Sequence, residues 1–280
     1  MNTNNIFKTI LLFSLLTLLF VGAGYLIGGF GGMAIAFVFA IILNFSSFWF
    51  SDKLALRFAN AKPLDKTTYD SIYKSTEDIA RRMVMPAPKL YLSPQLQPNA
   101  FATGRSPQNG VICLTAGLIK FLNHKEIEGV IAHELAHIKN RDVLIATIAA
   151  VIGGTISAIA DIFMFGSIFG NSDEEESNPF GGIIVMIIAP LTAALIQFAI
   201  SRSREYGADA TAAKILGTPD GLINALIKIE NAAKNIPMNT NPATASLYIQ
   251  NPLGMNKLSE LFSTHPPTEK RINHMLNLKY

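Results

Sequence analysis

The chain has 280 residues, of which 50% are hydrophobic and only 15% are Asp, Glu, Lys or Arg, with a formal net charge of +3. So small a charged fraction is unusual for a soluble domain, and the slight positive balance makes no case for nucleic-acid binding. Cys113, the one cysteine, excludes an internal disulfide framework, suits a reducing compartment and reads as a small buried apolar side chain.

No Lys or Arg occurs from Thr9 to Asp52, nor from Asp142 to Ser201. A bilayer core of about 30 Å takes roughly 20 apolar residues of helix, and the runs from Ile6 to Ile27 and from Phe30 to Phe50 both reach that length. The glycines of "GGFGG" between them predict a helical hairpin with a very tight turn. The first run is too long for a signal peptide and a second follows at once, so it reads as an uncleaved anchor. A second hairpin is expected from Val143 to Gly170 and from Pro179 to Ile200, around the acidic loop "NSDEEESN". Lys8, Lys53, Arg57, Lys62, Lys139, Arg141, Arg202 and Arg204 flank these four runs on a single face. The positive-inside rule makes that face, and with it both termini, cytoplasmic.

The expected organisation is therefore an α+β membrane protein with four transmembrane helices in two hairpins and a mainly helical catalytic domain with a small β-sheet. Residues 1–50 are the first hairpin, 51–142 the first part of the catalytic domain, 143–200 the second hairpin with its outer loop, and 201–280 the second part. The two polar parts together form one body. In the first, "KTTYDSIYKSTEDIARRM" has helical period, and "PAPKLYLS" with "PNAFATGRSPQNGVICLTAGL" suggests two or three short strands. Asn123 and Glu126 form a capping box that opens the helix carrying "VIAHELAHIKN", which can run unbroken into the third span. In the second, "SRSREYGADATAAKILG" is a helix ended by Gly217 and Pro219, and "DGLINALIKIENAAKN" is amphipathic. Residues 236–255 read as a long loop, functional or mobile, and Pro267 begins a short final helix.

His133, Glu134 and His137 stand in the spacing H-E-x-x-H. Two histidines four apart on a helix point their rings at one ion, and neutral imidazole suits zinc. Glu134, projecting from a neighbouring direction, can take a proton from water activated by the metal and pass it to the leaving amine, which is peptide-bond hydrolysis. The apolar surroundings "VIAHELAHI" weigh against three incidental polar residues, since buried polar groups require partners. A catalytic zinc takes three protein ligands. His124, His265, His274 and the carboxylates are the candidates for the third. Glu205 in "SRSREYGADA" stands out, against the alternative of an exposed glutamate paired with Arg202 or Arg204. Asp209 lies one turn further on the same face, placed to accept from a ligand histidine. His124 and His274 read as surface residues. Asp161 is isolated in apolar sequence, and Pro190 and Gln197 suggest a kink and a polar contact within the fourth run.

"HELAH", then a membrane hairpin, then "SRSREYGADA", with "NAFATG" upstream and "STHPPTEKRI" near the end, resembles the HtpX family of bacterial membrane metalloproteases, relatives of the CAAX prenyl proteases. The resemblance covers nearly the whole chain. It implies a gluzincin-type zinc endopeptidase of the bacterial inner membrane, holding one Zn2+ per chain and acting in stress response and membrane-protein quality control. It makes His133, His137 and Glu205 the ligands, Glu134 the base and Asp209 the partner that orients a ligand histidine. It also makes Asn99, Ala100, Phe101 and Ala102 an edge strand that pairs with extended substrate, the plainer reading being an ordinary hairpin strand. His265 and Arg271 it sets near the scissile carbonyl, where a donor stabilises the oxyanion; on sequence alone "HPP" is a helix start and Arg271 a solvated base. The implied partners are polypeptide substrates including membrane proteins, the lipid bilayer, and as a candidate a membrane ATP-dependent protease system. Two alternatives stand beside this reading. A site-2-type intramembrane protease uses the same motif within the bilayer, against which "NHKEIEGV" and "KNRD" place the motif helix in water. A non-enzymatic zinc-binding scaffold has no need of Glu134.

Overall fold

Gly28 and Gly29 interrupt an otherwise continuous apolar helix. Helix α1 (Thr3–Phe58) leaves helical geometry at these two residues, Gly29 taking φ 57°, a value open to glycine without steric cost. The two arms fold back on each other and meet where Gly24 faces Gly32, with no room for a Cβ at either. Across the pair, Phe20 packs edge-on against Phe39 and the Asn44 amide donates to Thr17 Oγ1 at 2.9 Å. The first helical hairpin therefore has the tight glycine turn expected of it. Gly28–Phe58 is the one helix among the described residues that is long and apolar enough to cross a membrane, and Ile10–Tyr25 is a shorter apolar helix.

The structure, a computed structural model, describes residues 3–150, 152–153, 202–238, 240, 242–250, 252 and 265–278. Most of the expected second hairpin lies outside these, as do the acidic loop, Asp161, Pro190 and Gln197. Its described beginning, 143–150, is helical. Ile145, Ile148 and Ile152 of this stretch pack with Leu12 and Leu16 of α1 in an apolar cluster separate from the main core.

The rest of the described chain is built around one helix. Strands β1 (Lys62–Pro63), β2 (Lys89–Ser93), β3 (Ala100–Thr103) and β4 (Val111–Thr115) form a sheet in the order β1-β2-β4-β3. β2 and β4 are parallel, and β1 and β3 run antiparallel to their neighbours at the two edges. Helix α2 (Asp70–Arg82) precedes β2, and the short α3 (Ala116–Phe121) follows β4. Then comes α4 (His124–Asn140), opened by the expected capping box: Asn123 Oδ1 accepts from Glu126 N–H at 3.0 Å, and Glu126 Oε2 accepts from Asn123 N–H at 2.8 Å. Glu126 also meets Lys228 at 2.8 Å, which fastens the start of α4 to α6 (Asp220–Asn235).

Helix α4 does not continue into the third apolar run as its sequence allows. Arg141 adopts a left-handed conformation, φ 61°, its N–H reaching back to the His137 and Ile138 carbonyls, and a new helix starts after Asp142. Helix α5 (Arg202–Leu216) crosses α4, ends at Gly217 and is followed by α6. A single turn, α7 (Pro242–Ala245), and α8 (Thr268–Leu276) complete the described chain. One core joins Ile72 and Ile79 of α2, Ile112 and Leu114 of β4, Val130, Ile131 and Leu135 of α4, Ala208 and Ala212 of α5, and Leu222 and Leu226 of α6. The motif helix is thus enclosed by protein on most of its faces. The expected loop 236–255 is also less free than its composition suggests, since Thr244, Ala245, Tyr248 and Ile249 are buried.

Candidate metal centre and active site

The helical spacing of α4 sets the site. His133 and His137 stand one turn apart with their ring centroids 4.6 Å from each other and their planes near perpendicular. Their Nε2 atoms are 3.1 Å apart. α5 brings Glu205 to the same point, with Oε2 3.6 Å from His133 Nε2 and Oε1 3.4 Å from His137 Nε2. One donor atom from each of the three lies within 4.8 Å of the other two. A tetrahedral ion with bonds of 2.0–2.1 Å holds its ligand atoms about 3.3 Å apart, so these spacings fit a zinc ion without rearrangement of the chain.

The polar atoms here are also short of ordinary partners. Glu205 Oε2 and both ring nitrogens of His265 are buried with no hydrogen-bond partner among the described residues. His265 Nδ1 lies 3.0 Å from Glu205 Oε2 but is not aligned for a hydrogen bond. Buried atoms of this kind are costly. A donor set of two imidazoles and a carboxylate, close-packed and with one carboxylate oxygen left without a hydrogen bond among the described residues, suits a cation.

Behind the histidines lies a chain of charge. His133 Nδ1 meets Asp209 Oδ1 at 2.9 Å, which turns Nε2 towards His137 and Glu205. Arg271 Nη2 and Nε grip the two oxygens of Asp209 at 2.7 and 2.9 Å, and Arg271 Nη1 donates to the Ile249 carbonyl at 3.1 Å. Asp209 and Arg271 are both wholly buried. Burial opposes the Asp209 charge, but Arg271 and then His133 outweigh it and hold the carboxyl at about 2. Burial likewise opposes the Arg271 charge and is outweighed by Asp209, so the guanidinium stays ionised.

The pocket at the cluster has a volume of about 50 Å³ and is lined by His133, Glu134, His137, Glu205 and His265, with Asp142, Arg204, Ser246 and apolar side chains beside them. That is room for more than one water at roughly 10–15 Å³ each. Glu134, only 3% exposed, is pushed up from its ordinary pKa by burial, which His133 and His137 partly offset. Burial would keep His137 neutral, but Glu205 and Asp142 outweigh it and raise the ring to about 10. The same two effects compete at Glu205, where burial is overcome by His265 and then His137, leaving the carboxyl well below its usual range.

Of the residues singled out in the sequence, His133, Glu134, His137, Glu205 and His265 converge on this pocket, with Asp209 directly behind. Arg271 does not line it: its guanidinium is engaged by Asp209 and Ile249, with Nη1 3.8 Å from Glu205 Oε2. Along β3 only Ala102 reaches the pocket. Ala100 joins the main core and Phe101 packs edge-on against Tyr248, while Asn99 bonds to Gln250. His124 and His274 are elsewhere, on Ser75 and Tyr206. Asp142 was not singled out, yet its Oδ2 lies 3.5 Å from His137 Nδ1 and its Oδ1 3.8 Å from Arg204. The signal was the acid five residues after His137, visible only if α4 stops there. Ser246, Leu247 and Ile249, which also line the pocket, carry no local signature.

The sequence pattern of Peptidase family M48 matches residues 66–279, which span this whole arrangement. The chain belongs to peptidase family M48. It is 50% identical to a protease HtpX homolog of Pyrococcus furiosus, over 96% of this chain and 94% of that one. It is 47% identical to a protease HtpX homolog of Burkholderia thailandensis, over 97% and 96%. Among solved structures, S. mikatae Ste24p gives a TM-score of 0.49 at 20% identity, covering 97% of this chain and 65% of that one. M48 is a family of zinc metalloproteases, so the chain is a metalloprotease, as its H-E-x-x-H helix and the downstream "SRSREYGADA" lead one to expect. HtpX homologues are membrane proteases, which accords with the apolar hairpin of α1 in this M48 chain.

Proposed function

We propose that this M48 peptidase is a four-span inner-membrane zinc endopeptidase that cleaves misfolded or damaged membrane proteins at the cytoplasmic face. The observation that carries the reading is the convergence of His133 and His137 from α4 with Glu205 from α5, three buried donor atoms within 4.8 Å of one another. These three hold one zinc ion per chain. Zinc bound there supplies Lewis-acid chemistry, polarising the scissile carbonyl and acidifying water. Glu134 receives the proton of the attacking water and delivers it to the leaving amine. Asp209 fixes the His133 ring with Nε2 forward, and Arg271 fixes Asp209. His265, facing the pocket beside Glu205, offers a ring nitrogen to the developing oxyanion.

The placement of the site at the membrane surface is supported by two features. Helix 143–150 starts directly after Asp142 and packs by Ile145 and Ile148 on the α1 hairpin, and the Lys and Arg residues that flank the four apolar runs are those the positive-inside rule assigns to the cytoplasmic side. The burial of α4 among α2, α5, α6 and the sheet favours an aqueous catalytic domain over an intramembrane one. Glu205→Ala removes the one ligand that α5 contributes, and zinc content measured by mass spectrometry of the purified protein is expected to fall from one per chain to well under half. Full occupancy in that variant would assign the third ligand elsewhere.

A further inference from the structure

The left-handed Arg141 does more than end α4. On an unbroken helix, a residue five positions after His137 would face about 140° away from it. Arg141 at φ 61° turns the chain back instead. A residue with a Cβ adopts this conformation at a cost, and such strain persists where the surrounding structure makes use of it. Asp142 is returned to His137 twice over: its N–H donates to the His137 carbonyl at 3.1 Å, and its Oδ2 lies 3.5 Å from His137 Nδ1. The next residue begins helix 143–150.

Which ring nitrogen Asp142 meets decides what it can do. His137 Nε2 faces His133 Nε2 at 3.1 Å and Glu205 Oε1 at 3.4 Å, so Nδ1 is left on the outside of the donor set. His133 has the same arrangement, with Nε2 inward and Nδ1 on Asp209 Oδ1 at 2.9 Å. Asp142 is not one of the three residues whose donor atoms crowd within 4.8 Å of one another, so it stands behind a ligand rather than among the ligands. Its other oxygen, Oδ1, lies 3.8 Å from Arg204 Nη1. Arg204 precedes Glu205 on α5. The carboxylate therefore faces a ring from α4 and a guanidinium from α5, beside the ligands that the two helices contribute. Of the described acids that line the pocket, Glu134 and Glu205 already have roles, and Asp142 is the third.

We propose that Asp142 is a positioning residue for the metal: its carboxylate accepts from His137 Nδ1–H and holds the ring with Nε2 towards the ion, while Arg204 holds the carboxylate. This rests on the zinc reading of the site given above. The partner of the outer nitrogen sets both the tautomer and the orientation of a ligand histidine, and such partners typically contribute about 10–100-fold in metal affinity. The contact at 3.5 Å is longer than that of Asp209 with His133, so a loss of about tenfold is expected without it.

The test is the zinc affinity of the full chain purified in detergent, measured by competition with a chelator, for the wild type, Asp142→Ala and Asp142→Asn. Alanine has no acceptor. Asparagine is close in size, so the packing at the end of α4 is kept, but it offers one acceptor oxygen to two donors. Both variants are expected to bind zinc about tenfold more weakly. The visible spectrum of the cobalt(II)-loaded protein is expected to change, because a displaced ring alters the ligand field, while the metal-free proteins melt with the metal-free wild type. Zinc affinity and cobalt spectrum equal to the wild type in both variants would overturn the proposal and leave the zinc site standing. So would melting lowered equally with and without zinc and an unchanged cobalt spectrum, since Asp142 would then only hold the end of α4. A wild type that binds no zinc removes the site itself, and this role with it.

Discussion

Replacing Glu134 by Gln is expected to abolish proteolysis while zinc stays at one per chain. The carboxylate lines the pocket but is not among the three donors that crowd together, so the amide leaves the metal-binding set complete. It is also close in volume, so the enclosed α4 keeps its packing. What the variant lacks is a group that accepts a proton from water and returns it to the leaving amine, a contribution of about 10²–10⁴-fold to the rate. Burial strengthens the case, since it lifts the Glu134 carboxyl above its ordinary pKa and so closer to the neutral range in which a base must both take and give up a proton. The measurement is kcat/KM on a casein-like substrate in detergent, with metal content determined on the same preparation. Proteolysis equal to the wild type would remove Glu134 from the mechanism.

The largest effect on stability is expected from Arg271→Ala. Arg271 is wholly buried, neutralises the wholly buried Asp209 through two hydrogen bonds and donates to the Ile249 carbonyl. Breaking such a pair from one side leaves a charge without compensation and costs about 3–5 kcal/mol. For a chain of this size that corresponds to a fall in Tm of roughly 6–20 °C. The pH dependence has a definite sign. The Asp209 carboxyl lies at about 2 in the folded protein against an ordinary 3.8, a depressed value, so its contribution of roughly 2–3 kcal/mol is present above the ordinary value and lost as pH falls through about 2. The deficit of the variant is therefore flat across neutral pH and shrinks only in strong acid. A thermal melt of the variant within about 1 °C of the wild type would show that the Asp209–Arg271 pair does not hold the site together.

The local features of this fold could be read from the chain because local physics makes them. The glycine turn of α1, the Asn123–Glu126 capping box and the one-turn spacing of His133 and His137 each depend on residues a few positions apart. What the chain did not disclose depends on distant partners. A left-handed Arg141 has no compositional mark, yet it is what stops α4 and swings Asp142 onto His137. The 249–250 segment looks like open loop until Asn99 and Arg271 are seen to hold it. Arg271 itself reads on sequence alone as a solvated base until α8 buries it against Asp209, and the β3 residues read as equivalent until their alternation leaves Ala102 alone of β3 at the pocket.

The central claim is one zinc ion held by two imidazoles and a carboxylate. X-ray absorption at the zinc edge, on wild-type protein carrying one zinc per chain and on Glu205→Ala reloaded with metal, examines those bonds directly. The wild type is expected to show two imidazole ligands with the remaining neighbours oxygen and no sulfur, and the variant to lose an oxygen while keeping both imidazoles. A wild-type site with sulfur or with fewer than two imidazoles, or a variant spectrum identical to the wild type, would contradict it.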